Sequence, residues 1–186
     1  MAKVFIAGSR RLSRLNRAVK RRIDNIIQRG FTVMVGDANG VDKAVQRYLD
    51  SRHFCNVVVF CMEGGCRNNI RSWPTQTIPA ADLTRRDFAY YSTKDRAMVN
   101  EADYGFMLWD GQSRGTLTSL VDLVRQGKPV LVYVAPDKSF FTLRHAQDLA
   151  EMLDRFNPDA LHRIDRDLQA VAIGGINRKA RAGLLF

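Results

Sequence analysis

Lys3-Val4-Phe5-Ile6-Ala7-Gly8-Ser9-Arg10 opens the chain with an apolar run that ends on a glycine, a hydroxyl and a guanidinium. The same design returns twice. Residues 31–35 lead into Gly36-Asp37-Ala38-Asn39-Gly40-Val41-Asp42, and residues 104–109 lead into Asp110-Gly111-Gln112-Ser113-Arg114-Gly115-Thr116. Each apolar run reads as a strand, and each loop passes into a stretch with helical periodicity. A glycine-bearing strand-to-helix turn leaves backbone N–H groups unpaired at the helix N-terminus, where they can hold an anion. Three such turns on strands that can lie side by side point to a pocket for a phosphorylated ligand.

Working outward from these loops, strands are expected at residues 4–7, 31–35, 56–61, 104–109 and 129–134. Helices are expected at about 13–28, 41–50, 86–101, 115–126 and 142–155. Residues 57–60 are continuously apolar, as in a strand covered on both faces. The alternation predicts a Rossmann-like α/β fold, a doubly wound parallel sheet with helices on both faces and right-handed crossovers. In the order 3-2-1-4-5, counting these predicted strands, the first and fourth flank the switch point where ligands bind. The three glycine loops leave strands one, two and four, so they converge there. The domain is expected to span residues 1–156. Residues 157–186 form a C-terminal extension with a short strand at 170–173 and the basic Arg178-Lys179-Ala180-Arg181. Residues 62–85 break the rhythm: Gly64-Gly65, Asn68-Asn69, Trp73-Pro74 and Pro79 leave no sustained periodicity. A loop of this length reads as lid-like, with Trp73 either an apolar cover for a base or a surface anchor.

A hydrophobic fraction of 46% and a charged fraction of 26% over 186 residues are those of one ordinary globular domain. No apolar run approaches the roughly 20 residues that span a bilayer, which excludes a transmembrane class. The N-terminus passes straight into a strand, without the apolar core of a signal peptide, so a cytoplasmic location is expected. The net charge of +10 reflects 29 Lys and Arg against 19 Asp and Glu. Much of that excess falls in the first predicted helix, where Arg14, Arg17 and Arg21 form one stripe. Leu12, Leu15, Val19, Ile23 and Ile26 form the buried one. No aromatic residues interleave with these arginines, so a solvated face is preferred to a base-stacking platform, with nucleic acid as the alternative partner. Cys55, Cys61 and Cys66 are odd in number and fit no zinc-ligand spacing. No disulfide framework, metal site or cofactor is expected, and Cys55 and Cys61 are read as packing at the ends of the third strand.

The loops assign roles to individual residues. Gly8, Ser9 and Arg10, together with Ser113, Arg114, Gly115 and Thr116, supply backbone donors, hydroxyls and guanidinium groups to a phosphate. The last loop is not a Walker A motif, since the lysine is missing and the spacing differs. Gly36 and Gly40 allow close backbone approach, and Asp37 and Asn39 either cap the following helix or face ribose hydroxyls. Asp110, with Gly111 beside it, either accepts from a ribose or base or simply forms the turn. Lys94, Asp95 and Arg96 span most of one helix circumference, and Lys94 and Arg96 are counted with the binding residues. Asp42 lies inside the start of the second predicted helix, where a carboxylate complements the helix dipole.

Taken in order, these motifs make the chain resemble the SLOG superfamily over roughly residues 3–135. That Rossmann-like group holds the Smf/DprA DNA-processing proteins and the Lonely Guy phosphoribohydrolases, and the chain is most similar to its YspA-like branch. The resemblance implies a nucleotide or nucleotide-derived ligand, cleavage of an N-glycosidic bond if the protein is an enzyme, and a dimer. For that cleavage Asp42 and Asp95 are the candidate catalytic carboxylates, since an oxocarbenium-like transition state needs a nearby negative charge. A non-catalytic nucleotide sensor and a DprA-like nucleic-acid binder are the other readings it allows. Lonely Guy enzymes place a glutamate three residues after their Gly-Thr. Here Gly115-Thr116 is followed by Leu117, Thr118 and Ser119, so Ser119 stands in that place. Asp95 and Arg96 stand where that family has arginine and lysine. The resemblance therefore implies the pocket rather than the phosphoribohydrolase chemistry.

Overall fold

Five parallel strands form the centre of the sheet: β1 (Lys3–Gly8), β2 (Thr32–Gly36), β3 (Val57–Met62), β5 (Tyr104–Trp109) and β6 (Val130–Val134). In this computed structural model, which describes residues 1–80 and 88–159, they lie in the order β3-β2-β1-β5-β6. That is the doubly wound order expected from the three glycine loops. Phe5 registers with Met34 and Gly105, and Ile6 with Val35 and Phe106, so the centre is apolar throughout. Alternation along β1 sends Phe5 to one face and Val4 and Ile6 to the other. Helices α1 (Arg17–Gln28) and α2 (Val41–Ser51) cover the second face. Helices α3 (Phe88–Glu101), α4 (Arg114–Arg125) and α5 (Ala146–Phe156) cover the first. Val19, Ile23 and Ile26 of α1 are fully buried, each contributing about 1.5–3 kcal/mol of transfer free energy.

Two strands were not legible as such. β4 (Thr75–Ile78) pairs parallel with β3 inside the stretch read as a long loop. Thr75 and Thr77 are exposed, so this edge strand carries no apolar run. β7 (Ser139–Leu143) pairs antiparallel with β6, where the last helix was expected to begin at 142. That helix starts later because the Asp148 carboxylate accepts the backbone N–H groups of Arg144 (2.7 Å) and His145 (2.9 Å). α1 likewise begins after the expected residue 13, since the Asn16 side-chain oxygen accepts the Val19 N–H at 2.9 Å and fixes the N-terminus there. Arg14 therefore precedes the helix, and Leu12 and Leu15 pack against the core from the loop.

The cysteine reading is corrected. Cys61, buried at the end of β3, is disulfide-bonded to Cys66 across the turn that follows, while Cys55 is free and exposed. Trp73 is a core anchor: it is buried, and its indole N–H donates to the Phe54 carbonyl at 2.9 Å. Among the described residues no helix is long and apolar enough to cross a membrane. The expected helix start at 86, strand at 170–173 and basic C-terminal cluster lie outside the described residues.

Candidate functional site

β1, β2 and β5 all end at one edge of the sheet, and a cavity of about 520 Å³ opens there beside the β1–β5 switch point. Asp110, just after β5, ties two of the glycine loops together. One carboxylate oxygen accepts the Ser9 hydroxyl at 2.7 Å, and the other accepts the backbone N–H groups of Ser113 (2.7 Å) and Gln112 (3.1 Å). Burial would raise its pKa, but these donors hold the carboxyl below the usual carboxylate range. The turn-forming role foreseen for Asp110 is thus present. Ser113 then caps α4 through its backbone, and the first intrahelical bond runs from Leu117 N–H to Ser113 O at 3.1 Å. The N–H groups of Arg114, Gly115 and Thr116 precede that bond, and Gly115 and Thr116 line the cavity. The Thr116 hydroxyl donates to the Ser113 hydroxyl at 3.1 Å, and the Arg114 guanidinium lies 4.8 Å from the Phe88 ring centre.

The floor is built from charges. Asp37, nearly inaccessible, accepts the Lys94 ammonium at 2.7 Å and the Arg67 guanidinium at 2.6 Å, and also the Arg67 backbone N–H at 3.0 Å. Burial opposes its ionisation, but the Arg67 hydrogen bonds and the Lys94 charge hold its carboxyl far below the ordinary range. Asp42 is buried at the start of α2 and accepts the Ala38 N–H at 3.1 Å. Burial pushes it up to about 6, against the pull of the Lys94 charge. Asp95 is raised as well, by desolvation that outweighs the attraction of Lys94, Arg10 and Arg67. Gly36 is glycine because the Asp42 carboxylate and the Lys94 ammonium occupy the place a β-carbon would need. Gly40 has φ +82°, and a β-carbon there would collide with the backbone of Arg10, so the first two loops touch.

The residues singled out in the sequence divide accordingly. Gly8, Ser9 and Arg10 line the cavity from the first loop, and Asp110, Ser113, Arg114, Gly115 and Thr116 line it from the last. Asp42, Lys94 and Asp95 line it from below. Asp37, Gly36 and Gly40 stand behind this lining as support, and neither Asp37 nor Asn39 caps α2, whose N-cap is Gly40 without a side-chain bond. Asn39 is exposed, its side-chain oxygen accepting from Asn68 at 3.2 Å. Gly111 is buried, its carbonyl accepting from the Asn157 side chain at 2.7 Å, and Arg96 is exposed away from the lining. Ser119 also lines the cavity.

Sequence reasoning missed one wall. Tyr91 has the Arg67 guanidinium 4.4 Å and the Arg10 guanidinium 5.0 Å from its ring centre, and Phe88 is 44% exposed at the cavity. The signal was present in Phe88-Ala89-Tyr90-Tyr91, an aromatic cluster placed at the start of a helix rather than in its apolar stripe. Arg67 gave no such signal, since it sits in a stretch without periodicity.

The fold is Rossmann-like α/β, with a cavity at the sheet edge where β1, β2 and β5 end. No family model and no curated protein matches the sequence. Among solved structures the chain is similar to DNA processing protein A from Helicobacter pylori, described as binding single-stranded DNA. The TM-score is 0.54 at 16% identity, over 90% of this chain and 81% of that one. At that identity the likeness is one of fold. It supports a DprA-like fold and does not extend to the YspA-like branch to which the motifs were read as most similar.

Proposed function

We propose that the cavity binds a nucleotide, with the phosphate at the first turn of α4 and the base against the Tyr91 and Phe88 rings. The observation that carries this reading is the grouping of N–H donors, two hydroxyls and Arg114 at the start of α4, in a cavity that Tyr91 and the Arg114-contacting Phe88 also line. Helix N-terminal donors suit a phosphate, and aromatic faces suit any base. Asp42 and Asp95 lie between those two ends in character, as acceptors for ribose hydroxyls. A carboxyl near pKa 6 is also suited to proton transfer at neutral pH, so slow N-glycosidic cleavage through Asp42 or Asp95 is the chemistry this site would support. Ser119 contributes no charge where Lonely Guy enzymes keep a glutamate, so binding is the primary activity and free base accumulates little.

Calorimetry with AMP and with adenosine tests the reading. AMP binds and adenosine binds far more weakly, while Arg114→Ala weakens AMP by roughly 10- to 150-fold with little change in thermal midpoint. Equal affinities for AMP and adenosine, or an unaffected Arg114→Ala, would remove the phosphate from this loop. A second reading is single-stranded nucleic acid, favoured by the guanidinium–aromatic contacts at the mouth and by what the structural neighbour is described as binding. A salt-dependent gel shift with a mixed-sequence oligonucleotide separates it from a mononucleotide site.

A further inference from the structure

Arg67 and Tyr91 are shared by two cavities. Behind them lies a second hollow of about 200 Å³, whose remaining walls are Met62, Glu63, the Gly64–Gly65 backbone, Cys66, Asp37 and Tyr90. Its rim is held at several points. Cys66 is bonded to Cys61, the Glu63 N–H donates to Ile78 O at 2.9 Å, and the Tyr90 hydroxyl donates to Glu63 O at 3.0 Å. The Arg67 N–H fixes the other end on Asp37 at 3.0 Å. Among the described residues no heavy atom stands within 4 Å of where β-carbons on Gly64 and Gly65 would lie, so the glycine backbone presents an open face. The Tyr90 and Tyr91 rings meet edge to face, 5.0 Å between centres.

The cations between the cavities differ in exposure. Asp37 is paired with both Lys94 and Arg67, and Asp42 and Asp95 are the other carboxyls near them, their charge opposed by burial. Lys94 is as buried as Asp37, whereas the Arg67 side chain is 35% exposed, so Arg67 is the member of this cluster that reaches solvent. Arg10 adds a second guanidinium at the same tyrosine ring. A site for one mononucleotide needs one anion centre, which the first turn of α4 already provides. The Arg10–Arg67 pair is a second centre, and it stands where one cavity gives way to the other.

We infer that the ligand is of dinucleotide type, its second phosphate held between Arg10 and Arg67 and its second base received by the smaller cavity against Tyr90 and the Gly64–Gly65 backbone. This rests on the nucleotide reading of the larger cavity. A hollow of about 200 Å³ matches one ring system and not a whole nucleotide, since an apolar cavity of about 150 Å³ accepts a benzene-sized ring. The Tyr90 ring can stack on any base, so stacking is the main hold on the second base.

Affinities of AMP, ADP, adenosine 3′,5′-bisphosphate and the 5′-phosphorylated dinucleotide pApA, measured by calorimetry at one salt concentration, test the inference. The dinucleotide binds at least tenfold tighter than AMP, the bisphosphate falls between them, and ADP stays within a few-fold of AMP because its extra phosphate extends at the α4 end. Tyr90→Ala lowers the ratio of pApA to AMP affinity by roughly 5- to 150-fold, the loss expected for one stacked base, in a protein whose circular dichroism is unchanged. AMP binding with pApA no more than threefold tighter overturns the second subsite and leaves the nucleotide reading standing. Failure of every probe to bind overturns both.

Discussion

Asp42→Asn isolates the buried carboxyl beneath the cavity. The asparagine oxygen can still accept the Ala38 N–H, which the carboxylate now accepts at 3.1 Å, so the local shape is retained. What disappears is the ionisation. In the folded protein burial raises Asp42 from an ordinary 3.8 to about 6, a difference corresponding to ~3 kcal/mol at 1.36 kcal/mol per pKa unit. The folded state holds the proton more tightly than the unfolded one. Below pH 3.8 both states are protonated and ionisation has no cost. As pH rises from 3.8 to about 6 the unfolded chain ionises first, and the wild type loses stability until the folded carboxyl ionises too. Wild-type stability relative to Asp42→Asn should therefore fall by ~3 kcal/mol between pH 3 and pH 7.5 and then level off. For a chain of this size that is roughly 6–12 °C in midpoint. Asp37, held low, and Asp95, held high, are present in both proteins, and each also pushes Asp42 upward through its own charge. Urea denaturation of the two proteins across that range gives the quantity directly. A difference that stays constant within about 0.5 kcal/mol would show that Asp42 is not a desolvated carboxyl, and would remove it as a proton donor near neutral pH.

Gly40→Ala should destabilise by at least ~3 kcal/mol, from the positive φ and the collision with the Arg10 backbone, whereas Gly30→Ala, positive in φ but with open space, should cost only about 1 kcal/mol. Thermal denaturation of the pair checks this, and equal losses would contradict the contact between the first two loops. Reversing Arg14, Arg17 and Arg21 to glutamate should weaken association with single-stranded DNA and flatten its salt dependence while leaving AMP affinity within a few-fold. These exposed side chains are not among those lining the cavity, and charges beyond roughly 8 Å are largely screened at physiological salt. Loss of AMP binding in that triple variant, read by calorimetry, would move the site onto α1.

The parts of the fold that were legible in the sequence are those in which local pattern and tertiary environment agree. Residues 57–60 are apolar throughout because β3 is covered on both faces, and the three glycine loops mark the strand ends that meet at the switch point. β4 escaped because an edge strand needs no apolar run: Thr75 and Thr77 face solvent while the backbone alone makes the ladder. β7 escaped because its phenylalanines at 140 and 141 fall on consecutive positions that a helix would also accept. The Cys61–Cys66 bond was argued against from cellular context, although a strand followed by a tight turn brings those Cα atoms to 5.0 Å. Within the site, the loop after β5 could be picked out as part of the cavity lining because its polar residues are contiguous. Arg67 could not, because only the fold brings it 30 residues back to Asp37, and Asp37 itself looks identical in sequence whether it faces a ribose or a buried lysine.

A crystal structure of the wild-type protein grown with AMP tests the central claim most directly, since it reports where the phosphate lies. The account predicts phosphate oxygens about 2.7–3.2 Å from the N–H groups of Gly115 and Thr116, with Arg114 turned toward them and the adenine against Tyr91 or Phe88. A phosphate on the arginines of α1, or a nucleotide bound with its phosphate directed away from α4, would contradict it.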